Sequence, residues 1–298
     1  MASRIVEFKT YDGLKLQGTL FSAGEKRPCI IMTTGLGGLR EQHLPDFAER
    51  FQAAGFTVLT YDNRCWGGSE GLPRHEVDPI LQSRDYADAF AFVLTLPDVD
   101  AEKILYWGTS MSGGTTIYAA TLNKKIAGVI IQVPFVSGEW QSKASGESPN
   151  GLIMERAHAI ATGKPTTIPI VPESRESVLN GTSQAVLNKP EVLPFLGELD
   201  RRGWVFEKAM TVQSMANIAM FEPLAYTHRI SPTPLLIVVS SNDVTAATHM
   251  QLEAFERARE PKKLHLLSGE DHFSPYSSEA FEKNIKAQIA FLTETLGL

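Results

Sequence analysis

Apolar residues in this chain first alternate with polar ones and then gather into short unbroken runs. Ile5–Thr10 and Leu14–Phe21 flank Tyr11-Asp12-Gly13. Asp-Gly is a strong hairpin turn, so an antiparallel pair is predicted at the start. Cys29-Ile-Ile-Met32 is a short apolar run of the kind a strand buried on both faces requires. Leu44–Ala54 has helical spacing and stops at Gly55, a residue suited to a helix C-terminus. Thr57–Tyr61 reads as a strand. Asp78–Leu94 carries Ile80, Leu81, Ala87, Phe90, Ala91 and Leu94 as one helical stripe. Strand Ile104–Trp107, helix Ser112–Leu122 and strand Ala127–Val133 continue the alternation.

The rhythm then breaks. Residues 136–225 hold no convincing strand pair, only loop-like stretches at Ser145–Gly151 and Gly163–Pro172 and helical candidates at Ile153–Ala161 and Phe206–Ala219. Alternation resumes with strand Leu235–Ser240, helix Ala246–Arg259, strand Lys263–Leu267 and a closing helix Ser277–Leu296. Strands alternating with helices imply a mostly parallel sheet covered on both faces. A break of about 90 residues is too long for a plain connection and predicts a helical cap over a site. The expected division is a core of residues 1–135 and 226–298 and a cap of residues 136–225.

Composition narrows the class. Of 298 residues, 43% are hydrophobic and 9% aromatic, enough for a buried core. The 28 basic and 34 acidic residues sum to −6, so the chain has no basic footprint for nucleic acid, and a small-molecule substrate is expected. Cys29 and Cys65 each stand alone, which predicts neither a disulfide framework nor a metal site. The N-terminal segment lacks an apolar signal region, and the longest apolar run falls short of a membrane span. A cytoplasmic protein without cofactor is the expectation. No heptad pattern argues for an interface, and a homodimer stays open.

The chemistry concentrates in Ile104-Leu-Tyr-Trp-Gly-Thr-Ser-Met-Ser-Gly-Gly114. A buried strand runs into a tight turn and then a helix, the setting of a nucleophile elbow centred on Ser110. Such a turn needs small residues two before and two after the nucleophile. Gly108 and Ser112 meet that need, although Ser112 departs from the strict G-x-S-x-G form. A serine hydroxyl needs a base. Of seven histidines, only His272 follows the last core strand and precedes the final helix, where a parallel sheet places its site. Asp243, after the run Leu235–Asn242, is the expected orienting carboxylate, with Asp271 and Asp62 as rivals. The backbone amide of Met111 is one expected oxyanion donor. The second comes from Thr33-Thr-Gly-Leu-Gly-Gly-Leu39, at Leu36 or alternatively Gly35. Arg40 occupies the third glycine position of G-x-G-x-x-G, which argues against a dinucleotide loop here. Phe135, Trp140, Met154 and Trp204 are candidate substrate contacts. Arg64 follows a strand end and either binds substrate or braces its loop.

The order Ser110, Asp243, His272 at these junctions resembles the α/β-hydrolase superfamily. Gly35-Leu-Gly-Gly-Leu-Arg-Glu41, Tyr61-Asp-Asn-Arg-Cys-Trp-Gly-Gly-Ser69, Trp107–Gly114, Thr211-Val-Gln-Ser214 and Pro232-Thr-Pro234 resemble the fungal polyketide-pathway hydrolases and acyltransferases related to the fumagillin polyketide transferase. Dienelactone-hydrolase-like enzymes are more distant in kind. Thr33-Thr34 stands where many such proteins carry His before the oxyanion glycine. The resemblance implies an eight-stranded, mostly parallel sheet with the cap inserted after the sixth strand. It also implies an acyl-Ser110 intermediate formed from an ester, lactone or thioester of polyketide type, a carrier-protein or coenzyme A thioester among the donors. Water would give hydrolysis, and an alcohol acyl transfer. The same site could serve a non-hydrolytic cyclisation or C–C cleavage, or a ligand-binding receptor that retains the scaffold.

Overall fold

The computed structural model describes residues 3–145, 149–204 and 206–298. β1 (Ser3–Lys9) and β2 (Lys15–Phe21) form the predicted hairpin, with Ile5 opposite Thr19. β3 (Arg27–Thr33) is followed by α1 (Leu44–Ala53), β4 (Thr57–Tyr61) and α2 (Pro79–Val93). The Asp78 side chain caps α2 by accepting from the Ile80 and Leu81 amides. β5 (Val99–Thr109) extends beyond the predicted apolar run at both ends. α3 (Met111–Leu122) and β6 (Gly128–Gln132) complete the first half.

Between β6 and the next sheet strand lie α4 (Gly138–Ser145), α5 (Pro149–Thr162), β7 (Thr167–Pro169), α6 (Arg175–Leu179), α7 (Val192–Arg202), β8 (Ala209–Thr211) and α8 (Val212–Ala219). Three expectations need correction here. β7 and β8 pair antiparallel, Ile168 opposite Met210, where no strand pair was expected. Strands of three residues, distant in sequence, are too short to display alternation. The helix expected over Phe206–Ala219 is β8 followed by the shorter α8. The expected loop Ser145–Gly151 includes the start of α5, and its residues 146–148 lie outside the described ones. α7 escaped the reading, although Val192, Phe195, Leu196 and Leu199 have helical spacing and Gly203 ends it at φ 66°.

β9 (Leu235–Ser240), α9 (Thr248–Arg257), β10 (Lys262–Leu267) and α10 (Ser278–Leu296) close the chain. The eight-stranded sheet has the order β1-β2-β4-β3-β5-β6-β9-β10, antiparallel at β1 and β2 and parallel elsewhere. One apolar cluster, including Ile31, Tyr106 and Ile117, fills one face, and another, including Phe47, Trp107 and Leu292, fills the other. The central strands are apolar on both sides because helices cover both faces. Their registers pair Thr33 with Gly108, Thr109 with Gln132, and Leu267 with Ser240. The strands thus end at one edge, and the loops that follow them meet there. No described helix is long and apolar enough to cross a membrane.

Arg64 is resolved by its partners. Its Nε and Nη2 donate to both oxygens of Asp85, at 2.9 and 2.5 Å, and Nη1 donates to Asp12 at 2.8 Å. Arg64 and Asp85 are buried, and Arg64 does not border the cavities at Ser110 described below. In this structure it braces its loop against Asp85 and Asp12. Arg64→Ala strands a buried carboxylate and is expected to cost about 3–5 kcal/mol in chemical denaturation. Loss of activity at undiminished stability would return Arg64 to the substrate.

Candidate active site

Ser110 sits between β5 and α3 with φ 54° and ψ −122°. A non-glycine residue at positive φ is strained, and here the strain is that of a nucleophile elbow. Several contacts impose it. The Ser110 amide donates to Gln132 O at 2.9 Å, and its carbonyl accepts from the Gly113 and Phe135 amides, each at 2.9 Å. Gly108 cannot carry a side chain, because a Cβ there would stand 2.2 Å from Ser112 O. Ser112, the departure from the glycine pattern, is fully engaged. Its Oγ accepts from the Thr109 amide at 2.8 Å and donates to Thr33 O at 2.8 Å, tying the elbow to the end of β3. Below the turn, Thr109 Oγ1 bonds Tyr276 Oη, and Gln132, Asn284 and Gln288 link α10 to the same point.

His272 Nε2 lies 3.0 Å from Ser110 Oγ, and its Nδ1 lies 2.7 Å from Asp243 Oδ2. The same Asp243 oxygen accepts from Gln251 Nε2 at 2.7 Å, and Oδ1 accepts from the Ala246 amide at 2.8 Å. Both His272 and Asp243 are buried. Burial disfavours charge on each, and their mutual attraction overcomes it. His272 is held above its ordinary value chiefly by the facing Asp243 carboxylate, with Glu191 and Asp271 adding to it. Asp243 is held below its ordinary value by His272 and its hydrogen bonds. The rivals are committed elsewhere. Asp271 Oδ1 accepts from the Phe273 and Ser274 amides, and Asp62 pairs with Arg40.

The loop after β3 presses on Ser110. A Cβ on Gly35 would stand 2.9 Å from Ser110 Cβ and 3.3 Å from Oγ. Gly35→Ala is therefore expected to displace the hydroxyl and lower kcat/KM by roughly 100-fold, read against an unchanged melting temperature. A variant with near-normal turnover would mean that the loop yields freely. The amides of Leu36 and Met111 make no hydrogen bond to another described residue. Met111 opens α3, so the positive end of that helix faces the same space.

Two cavities reach Ser110. The larger, about 610 Å³, is lined by Leu36, Met111 and Phe135 from the core and by Leu152, Ile168, Val186, Leu187 and Met215 from the segment between β6 and β9. The smaller, about 60 Å³, is bordered by Ser110, His272, His43 and the rings of Phe195, Phe206 and Phe273. Of the other expected contacts, Phe135 lines the larger cavity, and three do not border either. Met154 is 69% exposed on α5. Trp140 packs on His249, ring centroids 5.3 Å apart. Trp204 packs edge-on to His43, with the Arg202 guanidinium over its own ring. Sequence reasoning favoured large aromatics, whereas the lining of the larger cavity is mostly aliphatic. It also missed Gln251, whose buried place on α9 after Asp243 is the signal that pointed to it.

Fold and site together define an α/β-hydrolase. The chain belongs to the family described as serine aminopeptidase S33 (Hydrolase_4), whose model matches residues 24–273. It is 31% identical over 298 residues to the thiohydrolase aneE of Aspergillus aculeatus, covering 98% of this chain and 93% of that one. It is 32% identical over 292 residues to the polyketide transferase af380 of Aspergillus fumigatus, covering 98% of both. Among solved structures, the α/β-hydrolase GrgF of Penicillium sp. sh18 superposes with a TM-score of 0.87 at 29% identity, covering all of both chains.

Proposed function

We propose that this protein is a serine hydrolase or acyltransferase that forms an acyl-Ser110 intermediate from a polyketide-type thioester or ester. The observation that carries the reading is the continuous hydrogen-bonded line Ser110–His272–Asp243, with 3.0 and 2.7 Å links, opening on a mostly apolar cavity. His272 Nε2 takes the Ser110 proton as Oγ attacks the carbonyl carbon. Asp243 fixes the imidazole tautomer by accepting from Nδ1–H and stabilises the cation that forms. The Leu36 and Met111 amides receive the oxyanion. The tetrahedral adduct then expels the thiol or alcohol, which takes the proton from His272.

The names thiohydrolase and polyketide transferase borne by the relatives support a thioester donor and an acyl chain of polyketide type. A volume of about 610 Å³ suits such a chain. Residues 136–225 act as the cap that selects it, since α5, β7, α8 and the stretch around Leu187 supply much of the wall. A carrier-protein or coenzyme A thioester would present the acyl group from outside this cap.

The test is intact-mass analysis after mixing the protein with acyl thioesters of N-acetylcysteamine or with a fluorophosphonate. A single adduct mapped to Ser110 is expected. An adduct mapped elsewhere, or none with either reagent, overturns the reading.

A further inference from the structure

The two cavities meet Ser110 at different walls, and the chemistry assigns them different tasks. An acceptor that discharges acyl-Ser110 must put its oxygen against the acyl carbonyl carbon and its proton near His272 Nε2. His272 borders the smaller cavity and is absent from the lining of the larger one. The larger cavity therefore keeps the acyl chain, and the acceptor arrives through the smaller one. The thiol released on acylation takes its proton from the same nitrogen and leaves by the same side.

The smaller cavity has an unusual polar inventory. Thr34 Oγ1 donates to Gly38 O at 2.7 Å, Gln42 Oε1 accepts from the Leu39 amide at 3.0 Å, and Thr109 and Tyr276 bond each other. His43 differs. It is 6% exposed, and neither ring nitrogen makes a well-formed hydrogen bond to a described residue; the Tyr276 backbone offers only a marginal one. Its ring is held between Phe195 and Trp204, each with centroids 5.0 Å away, and leans on Tyr276 at 5.4 Å. Burial pushes its pKa down to about 4, Arg202 adds to that, and Glu198 and the Tyr276 backbone oppose it. The imidazole is thus neutral near pH 7 and carries one N–H, which can donate to an alcohol oxygen while the alcohol's own proton stays free for His272. A buried polar side chain without a partner is costly, and a ligand that supplies the partner recovers that cost.

We propose that the smaller cavity is the acceptor subsite, that it takes a short primary alcohol, and that His43 is the residue that hydrogen-bonds the acceptor hydroxyl there. This rests on the acyl-Ser110 reading. Leu187, Phe195, Phe206 and Phe273 make the wall apolar, and about 60 Å³ exceeds the space one water needs, so carbon is favoured beside the hydroxyl. In the step, the alcohol oxygen bonds to the acyl carbon while its proton passes to His272. The C–Oγ bond then breaks, His272 returns the proton to Ser110, and an ester leaves. His43 keeps its own proton throughout and is a binding residue for the acceptor.

The experiment uses an acyl N-acetylcysteamine thioester that acylates the wild type, in buffer containing 1-propanol. Thiol release reports acylation, and the ratio of propyl ester to free acid reports the acceptor. His43→Phe, which retains the aromatic packing, is expected to release thiol within about threefold of wild type, because sulfur is a weak hydrogen-bond partner. Its ester-to-acid ratio is expected to fall roughly tenfold, the worth of one hydrogen bond. His43→Gln, which restores a donor and an acceptor, is expected to recover most of the ratio. If the phenylalanine variant does not fold, His43→Met supplies the apolar arm. An unchanged ratio in the apolar variant overturns the proposal, as does a fall in thiol release that matches the fall in ester. Failure of the wild type to form any acyl adduct overturns the acyl-Ser110 reading instead.

Discussion

Ser110→Ala is expected to lower turnover of a reactive thioester about 10⁶-fold, with substrate binding largely intact. The size follows from how the site is arranged. Ser110 is the group whose oxygen both touches His272 and stands on the elbow against Gly35. Removing it leaves the general base with nothing to deprotonate except water. A residual acceleration of about 10³–10⁴ over solution should survive from the oxyanion donors and from binding. Single-turnover kinetics at saturating enzyme measure this, and circular dichroism confirms that the elbow still folds. A variant within tenfold of the wild type would show that the acyl-serine route is not the one used, and would favour a cyclisation or C–C cleavage guided by the same cavity.

Asp243→Asn is expected to lower kcat/KM about 10⁴-fold and to move the acid limb of its pH profile. The sign follows from the base. His272 must be neutral to accept the Ser110 proton, so activity falls as pH drops through its pKa. In the wild type that pKa is raised above 6.5 by the Asp243 carboxylate. The limb should therefore lie above the ordinary imidazole range, with a plateau on its alkaline side. In the variant the carboxylate's attraction is lost and burial disfavours the imidazolium, so the limb moves to lower pH while the plateau drops. An unmoved limb would mean that the titrating group is not His272. Asparagine also places an amide donor against a ring nitrogen that should itself donate, which accounts for the depth of the loss.

Ser110, Asp243 and His272 stand out in the sequence because each follows a sheet strand at the carboxyl edge, Ser110 directly at a strand–helix turn and the other two in the loops after β9 and β10. Short apolar runs and turn residues mark those junctions locally. The glycine-rich loop after β3 stands out for the same reason. The segment between β6 and β9 is less legible. β7 and β8 hold three residues each and pair across a long separation, so neither leaves a periodic trace. The cavity wall combines Leu152, Val186 and Met215 from elements far apart in the chain, and each residue alone resembles ordinary core. Met154 and Trp204 were attractive for their size, but which face of an element meets the cavity is decided by packing. His43 carries no local signal in the sequence, because its burial among Phe195, Trp204 and Tyr276 is made by residues distant in the chain.

Ser112 makes the elbow and the loop after β3 one mechanical part. Its hydroxyl bridges the end of β5 to the end of β3, so Ser110 and the loop beside Gly35 shift together or not at all. The part of the larger cavity's wall that comes from between β6 and β9, at Leu152, Ile168, Val186 and Met215, has no such bridge to the elbow among the described hydrogen bonds. Inheritance can therefore act on the two halves separately. On the proposed function, changes at Leu152, Ile168, Val186 or Met215 would alter which chain is accepted without retuning the reacting atoms, so a lineage built on this scaffold would exchange substrates while its chemistry stays constant.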